Sequence, residues 1–140
     1  MRKIILILHL SLILRGGSRQ MLAEKFIKSA VVYLIIGLAL GIYMGISKDH
    51  SQMPAHAHLN LLGWVTMGLM GIVYKVWPQA AAVKLATLTY WLAHISVIGM
   101  TVGLILLFSG HTQYEFIAVI SAIVVIVNII LFASLLYRRI

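Results

Sequence analysis

Four apolar runs, each long enough to cross a lipid bilayer, set the strongest limit on how this chain folds. They cover Phe26–Ile46, Ala57–Trp77, Leu85–Phe108 and Phe116–Tyr137. About 20 helical residues, rising 1.5 Å each, cross a hydrocarbon core of roughly 30 Å. The runs are too long and too uniformly apolar for barrel strands, and an open strand edge would leave backbone groups unpaired in lipid. The sequence therefore predicts an all-α, polytopic membrane protein with four transmembrane helices.

The composition excludes a soluble protein and several kinds of site. Of the 140 residues, 62% are hydrophobic and 10% are charged, whereas a soluble domain has about 25% charged residues. The net charge of +8 would suggest nucleic acid in a soluble protein, but the basic residues lie at the ends of apolar runs, where lipid headgroups account for them. We therefore expect the lipid bilayer, and no nucleic acid, as a partner. The chain has no cysteine, which excludes disulfides and thiolate sites.

The distribution of lysine and arginine predicts the orientation of the four helices. One end of the predicted bundle carries Arg15, Arg19, Lys25, Lys28, Lys75, Lys84, Arg138 and Arg139. The other end carries only Lys48. Because basic loops stay in the cytoplasm, we expect both termini to be cytoplasmic in a multi-pass protein of the plasma (inner) membrane. A histidine cluster would then lie at the outer face. It comprises His50, His56, His58 and His111.

Residues 1–20 form a separate unit in the sequence. Their apolar stretch, Ile4–Leu14, is too short to span a bilayer, and no small-residue cleavage pattern follows it. We interpret residues 1–20, which include His9, as an extension, as an over-called start that precedes Met21, or as a short membrane-surface helix. Residues 21–140 are then one four-helix transmembrane domain.

Histidine is the residue type most able to carry chemistry here, because the chain has six histidines and only three carboxylates. Imidazole is the commonest metal ligand and an axial ligand of heme iron. His56 and His58 open the second run just after Pro54, which suits the first turn of a helix. At 100° per residue they point about 200° apart, so a straight helix cannot bring both to one metal. Two separate sites, or two interfacial histidines without a cofactor, both fit this spacing.

The segment that follows this pair resembles a known ligand helix. His56–Pro78 reads HAHLNLLGWVTMGLMGIVYKVWP, which resembles the tenth helix of subunit I of the heme–copper oxidases. An H-x-H opens that helix, a Met-Gly pair follows, as in Met70-Gly71, and an aromatic-Pro pair closes it, as in Trp77-Pro78. The resemblance implies that His56 corresponds to the high-spin heme ligand and His58 to a low-spin heme ligand. Heme b is therefore the expected cofactor, and copper belongs to the alternative function of a metal-ion module.

The resemblance also implies an assembly. Subunit I of that family has twelve helices in three arcs of four, and one chain here looks like one arc. We therefore expect a homo-oligomer with heme held between histidines of adjacent chains. A trimer is the favoured assembly and a dimer is the alternative. Gly37, Gly41 and Gly45 recur every four residues and allow a close approach of another backbone, either within one bundle or between chains.

The third run contains a histidine of a different kind. His94 is about 14 residues from the outer end of its run, or roughly 21 Å, so it cannot share an iron with His58. We interpret His94 as a buried, hydrogen-bonded residue, with a second ligand site as the alternative.

Three functions fit the sequence. The first is a heme-binding membrane protein for electron transfer, heme handling or gas sensing. The second is a module that binds or transports copper or another metal ion at the outer histidines. The third is a cofactor-free structural or assembly partner. The sequence contains no nucleophile–base constellation, phosphate loop or zinc-protease motif, so no catalytic residue is predicted and the family's binuclear copper chemistry is not carried over.

Overall fold

The computed structural model describes the backbone of residues 2–139 and the side chains of residues 21–139. This part of the chain is all-helical and contains no strand. Its long helices are α1 (Arg2–Ser47), α2 (Met53–Val76), α3 (Lys84–Phe108) and α4 (Glu115–Arg139). Short 3₁₀ turns, Ala80–Ala82 and Thr112–Tyr114, precede α3 and α4.

Within the described residues, four helical segments are long and apolar enough to cross a membrane. They are Met21–Ser47, Met53–Val76, Lys84–Phe108 and Thr112–Arg139. Their outward side chains are apolar and exposed, as at Ile42 and Ile130, which in water would leave an apolar surface far larger than soluble monomers tolerate. The all-α fold with four helices of spanning length is confirmed, and it fits a multi-pass membrane protein. The interpretation of residues 1–20 as an extension, an over-called start or a surface helix stays a prediction. The side chains of this segment, including His9, lie outside those described.

The helices begin and end where local chemistry requires it. Lys48 ends α1 with a φ of 60°, a left-handed conformation that stops helical hydrogen bonding. Pro54 lies in the first turn of α2, where its missing N–H is not needed. Trp77 ends α2 with a non-helical backbone (φ −118°, ψ 74°) immediately before Pro78, since proline disfavours helical geometry at the residue before it. Gly110 follows α3 with a φ of 91°, which favours glycine.

The loop between α1 and α2 is fixed by a local turn. The carboxylate of Asp49 accepts a hydrogen bond of 2.9 Å from the backbone N–H of Ser51. This bond favours the ionised carboxylate and holds the pKa of Asp49 below its ordinary value. The turn sets the direction in which the chain enters α2.

α1 and α2 pack as an antiparallel pair through glycines on both helices. A β-carbon at Gly37 would lie 2.6 Å from the amide of Asn60, and one at Gly63 would lie 2.7 Å from Cβ of Tyr33. Both distances are too short for real contacts, so larger residues would push the helices apart. The glycines therefore set the separation of this pair, which is how small residues commonly act in membrane bundles.

α3 and α4 form a second close pair. A β-carbon at Gly103 would lie 2.6 Å from the backbone nitrogen of Ala118, and one at Gly99 would collide with Oγ of Ser121. The two backbones are thus nearly in contact along this seam. Dispersion contacts between closely spaced helices replace the hydrophobic effect as the main source of association in lipid.

Tyr74 joins all four helices near the basic end of the bundle. Its side chain is 1% exposed. Its ring centroid lies 5.6 Å from that of Phe26 on α1 and 5.4 Å from that of Phe132 on α4. Its hydroxyl shares a hydrogen bond of 2.9 Å with Thr89 on α3. The residue therefore combines aromatic packing with a satisfied polar group, as a buried tyrosine requires.

α2 is not a uniform α-helix. It consists of an α-helical start (Met53–His58), a π-helical segment (Leu59–Thr66) and an α-helical end (Met67–Val76). The hydroxyl of Thr66 donates to the carbonyl of Leu61, five residues earlier, at 2.8 Å. The sequence predicted a helix here without this change in winding. π-helical turns are rare and often lie at functional sites.

Candidate functional site

His56 is held against α1 by its own hydrogen bond. Its Nδ1–H donates to the backbone carbonyl of Gly37 at 2.9 Å. The ring lies over Gly41, where a β-carbon would be 2.9 Å from Cε1. Because a carbonyl oxygen can only accept, Nδ1 carries a hydrogen, and in the neutral ring Nε2 then keeps its lone pair. The half-buried ring is therefore oriented and protonated as a metal ligand would be.

Asn60 lies one turn after His56 and supports it. Its amide nitrogen donates to the backbone carbonyl of His56 at 2.8 Å and lies 3.4 Å from Nδ1 of that ring. The amide also packs on Gly37. Sequence reasoning missed this residue, although its spacing of four residues from His56 places both on one helix face.

His58 has the same protonation pattern but a different anchor. Its Nδ1–H donates to the carbonyl of Pro54 in its own helix, at 2.8 Å. The side chain is half-buried, and Nε2 again keeps its lone pair. Metal-binding histidines usually donate their second ring nitrogen to a carbonyl or carboxylate in this way.

The two histidines do not converge on one point. They lie in the α-helical start of α2, where a spacing of two residues separates their directions by about 200°, and only His56 bonds to α1. No group of three or more histidine or carboxylate side chains able to hold a metal ion occurs among the described residues. The arrangement suits a ligand that needs one or two protein donors, such as heme iron, whose other donors come from the macrocycle.

His94 lies in the interior between α1 and α3. Its Nδ1 and the hydroxyl of Tyr33 share a hydrogen bond of 2.6 Å. Its ring meets Tyr90 edge-on, at 4.5 Å between centroids. Within residues 21–139 its Nε2 is buried without a partner. The predicted hydrogen-bonded histidine is found here, in a half-buried position.

His94 and His56 lie at different depths along α1. His56 packs on Gly41, whereas His94 bonds to Tyr33. Gly37, which accepts the hydrogen bond from His56, and Gly41 are four and eight residues from Tyr33, or about 6 and 12 Å along the helix axis. One iron needs two nitrogens within about 4 Å of each other, so His94 is not a second ligand for an iron bound to His56.

Two of the three glycines in the α1 stripe are covered by the chain itself. Gly37 packs against Asn60 and Gly41 against His56, both on α2, whereas Gly45 faces open space. The close approach predicted for this stripe therefore takes place within one bundle at Gly37 and Gly41. An interface between chains has only the Gly45 end of the stripe to use.

The remaining histidines of the predicted cluster lie in the loops at the same end of the bundle. His50 and His111 are exposed, and the ring of His111 lies 6.4 Å from that of Tyr114. The amide of Gln52 donates to the hydroxyl of Ser109 at 3.1 Å and ties the two loops together. This end of the protein thus carries four histidines on three segments.

A search of known protein families, of curated proteins and of solved structures found no match to this chain.

Proposed function

We propose that this chain is a membrane protein that binds b-type heme through His56 and His58 and serves electron transfer, heme handling or gas sensing. One observation carries the proposal. Both rings donate Nδ1–H to a backbone carbonyl, at 2.9 Å for His56 and 2.8 Å for His58, and both keep the Nε2 lone pair that iron requires. The likeness of His56–Pro78 to an oxidase ligand helix supports the same cofactor.

Each residue of the site has a distinct task in this proposal. The Gly37 carbonyl fixes the ring plane of His56 and increases the basicity of its Nε2. Asn60 holds the backbone at His56 in place. The Pro54 carbonyl likewise fixes the ring plane of His58 and increases the basicity of its Nε2. Bound heme would supply a one-electron iron couple, which suits electron transfer, and an iron that can bind a small gas in exchange for a histidine.

The placement in the membrane is part of the proposal. The basic residues are concentrated at the end opposite the histidines, and the positive-inside rule then puts both termini in the cytoplasm. The histidine end would face outward from the plasma (inner) membrane. Heme would lie near that surface, within reach of a redox partner on the outer side.

The assembly follows from the divergence of the two histidines. Since one chain offers one nitrogen on each side of α2, an iron held by two histidines would take the second histidine from a neighbouring chain. We propose a homo-oligomer with heme at chain interfaces, a trimer by analogy with the three arcs of the oxidase subunit and a twofold dimer as the competitor. Native mass spectrometry of the heme-loaded protein tests this. A monomer with one heme per chain would contradict it.

A heme titration of the purified protein tests the proposed function. We expect a Soret band and the reduced-state bands of a low-spin b-type heme. The bands should be lost in His58→Ala and weakened in His56→Ala. His111→Ala is the matched control, because it removes an exposed loop histidine and should leave the spectrum unchanged. A colourless protein after heme supply would contradict heme binding.

A second candidate function is the binding or transport of copper or another metal ion. The tie between Gln52 and Ser109 supports it, because it brings the loops of His50 and His111 together near the start of α2. Metal analysis of heme-free protein tests this candidate. Bound copper that is lost in a His50→Ala, His111→Ala double variant would favour it. A protein that binds neither heme nor metal would favour a structural or assembly role.

A further inference from the structure

A small cavity lies inside the bundle where α2, α3 and α4 meet. Its lining includes the polar residues Thr66, Ser96 and Asn128, together with Met67 and Val125. It leaves about 10 Å³ for the centre of a water-sized sphere. That volume is close to the minimum that one water molecule needs.

Asn128 places an unpaired acceptor at this cavity. Its side chain is 3% exposed, and its Oδ1 is buried without a hydrogen-bond partner among the described residues. Buried polar atoms nearly always have a partner, either from the protein or from ordered water. Asn128 is near the middle of α4, where lipid offers no donor.

The hydroxyl groups of Ser96 and Thr66 in the lining both donate hydrogen bonds to their own helices. Ser96 donates to the carbonyl of Ala93 at 2.9 Å, and Thr66 donates to the carbonyl of Leu61 at 2.8 Å. Each hydroxyl oxygen therefore has only lone pairs left to offer. Oδ1 of Asn128 and the two hydroxyl oxygens are therefore acceptors, which suits a ligand that donates hydrogen bonds.

We propose that this cavity binds one water molecule, which donates to Oδ1 of Asn128. A cation would also meet acceptor oxygens, but the described lining contains no carboxylate. A charge without a counter-charge is costly in a low-dielectric interior. Water is neutral, has two protons to donate and fits the volume. The bound water bridges α4 to the π-helical segment of α2, which contributes Leu62 and Thr66 to the lining.

Selective labelling tests this site, because the chain contains only two asparagines, Asn60 and Asn128. The full chain is labelled with ¹⁵N-asparagine and placed in phosphatidylcholine bilayers. Magnetisation is then transferred from water to the side-chain amides by solid-state NMR, with Asn128→Leu used to assign the Asn128 signal. We expect transfer from a slowly exchanging water to Asn128 at short mixing times. Its absence in the unmodified protein would overturn the proposal.

A matched pair of variants locates the water. Val125→Leu adds a methylene group at the cavity wall and should abolish the transfer to Asn128. Val127→Leu makes the same change on the lipid-facing side, where the side chain is 52% exposed, and should leave the transfer intact. An unshifted Asn60 signal reports that each variant is folded. Undiminished transfer in folded Val125→Leu would show that water reaches Asn128 by another route and would overturn the site.

Discussion

His56 is held by three groups of the same chain. The Gly37 carbonyl accepts from its ring, Gly41 provides the flat surface below it, and Asn60 secures its backbone. Rotation of the ring would break a hydrogen bond that lipid cannot replace. Its Nε2 is therefore held in a fixed direction before any ligand arrives, which reduces the ordering entropy that binding would otherwise cost.

Gly41→Ala tests this arrangement at a single position. The added β-carbon would lie 2.9 Å from Cε1 of His56, so the ring or the helix must move. We expect the free energy of unfolding in detergent to fall by about 1–3 kcal/mol and the heme band to weaken. Gly45→Ala is the matched control, because nothing lies within 4 Å of its β-carbon position. Equal losses in both variants would contradict the interpretation.

Tyr33→Phe tests the hydrogen bond between α1 and α3. The change removes the hydroxyl that shares a 2.6 Å hydrogen bond with His94 and leaves the aromatic packing in place. We expect a loss of about 0.6 kcal/mol, up to about 1.7, the range measured for such bonds in membrane bundles. Unfolding in detergent, followed by circular dichroism, gives the value.

The control for that loss lies on the same helix. Tyr43 is 59% exposed on the outer surface, so Tyr43→Phe should leave the stability unchanged. The heme spectrum should also be unaffected by Tyr33→Phe, since His94 and His56 contact α1 about 6 to 12 Å apart along its axis. A loss of heme in Tyr33→Phe would mean that the two levels are coupled.

Among the elements, α2 is the one whose geometry departs most from a regular helix. Its π-helical segment, Leu59–Thr66, lies directly after His58. The segment separates the histidine-bearing start of α2 from the end that carries Gly71 and Tyr74 in the core. The winding of this segment therefore sets the rotation of the histidines relative to the rest of the bundle.

Deletion of Leu61 tests that role. Leu61 is 59% exposed, so its side chain contributes little to the core. Removing one residue should let the segment return to α-helical bonding, because a π-helical turn, closed by i→i+5 bonds, holds about one residue more than an α-helical turn. The start of α2 should then keep most of its rotation relative to the end, so we expect His56 to stay at Gly37 and Gly41 and heme binding to survive. The helical circular dichroism signal should stay nearly constant, and loss of heme binding from the folded variant would contradict this account.

At the scale of the whole molecule, two antiparallel pairs join at one aromatic centre. Glycines bring α1 close to α2 and α3 close to α4, and Tyr74 contacts side chains from all the other helices of the described bundle. The histidine end and the basic end are then on opposite sides of a bundle about one bilayer thick. Orientation decides which side of the membrane the histidines face.

Cysteine labelling tests the orientation against a clean background, because the natural chain has no cysteine. Ser51→Cys and Thr112→Cys lie in exposed loops at the histidine end. We expect an impermeant thiol reagent to label both in intact cells. Gln79→Cys, exposed at the opposite end, should be labelled only after permeabilisation. The reverse pattern would invert the proposed topology.

Hydropathy along the sequence is enough to predict the helical class and the four segments of spanning length. The length and the apolar content of a helix are properties of that helix alone. Comparing them with the thickness of the bilayer shows whether the helix can span it, whatever the helix packs against. The start of α2 at Pro54 and the divergence of His56 from His58 also follow from local geometry. These features need no knowledge of a neighbouring helix.

Contacts between helices decided the partners of the polar groups that face a neighbouring helix. It assigned Gly37 and Gly41 to α2 of the same chain, gave Nδ1 of His56 a backbone carbonyl and paired His94 with Tyr33. It also gave α2 its π-helical winding. Each outcome depends on the register between two helices, and one residue of register turns a helix face by about 100°. The hydropathy of one helix does not depend on its register with a neighbouring helix, so hydropathy does not predict which residues of the two helices meet.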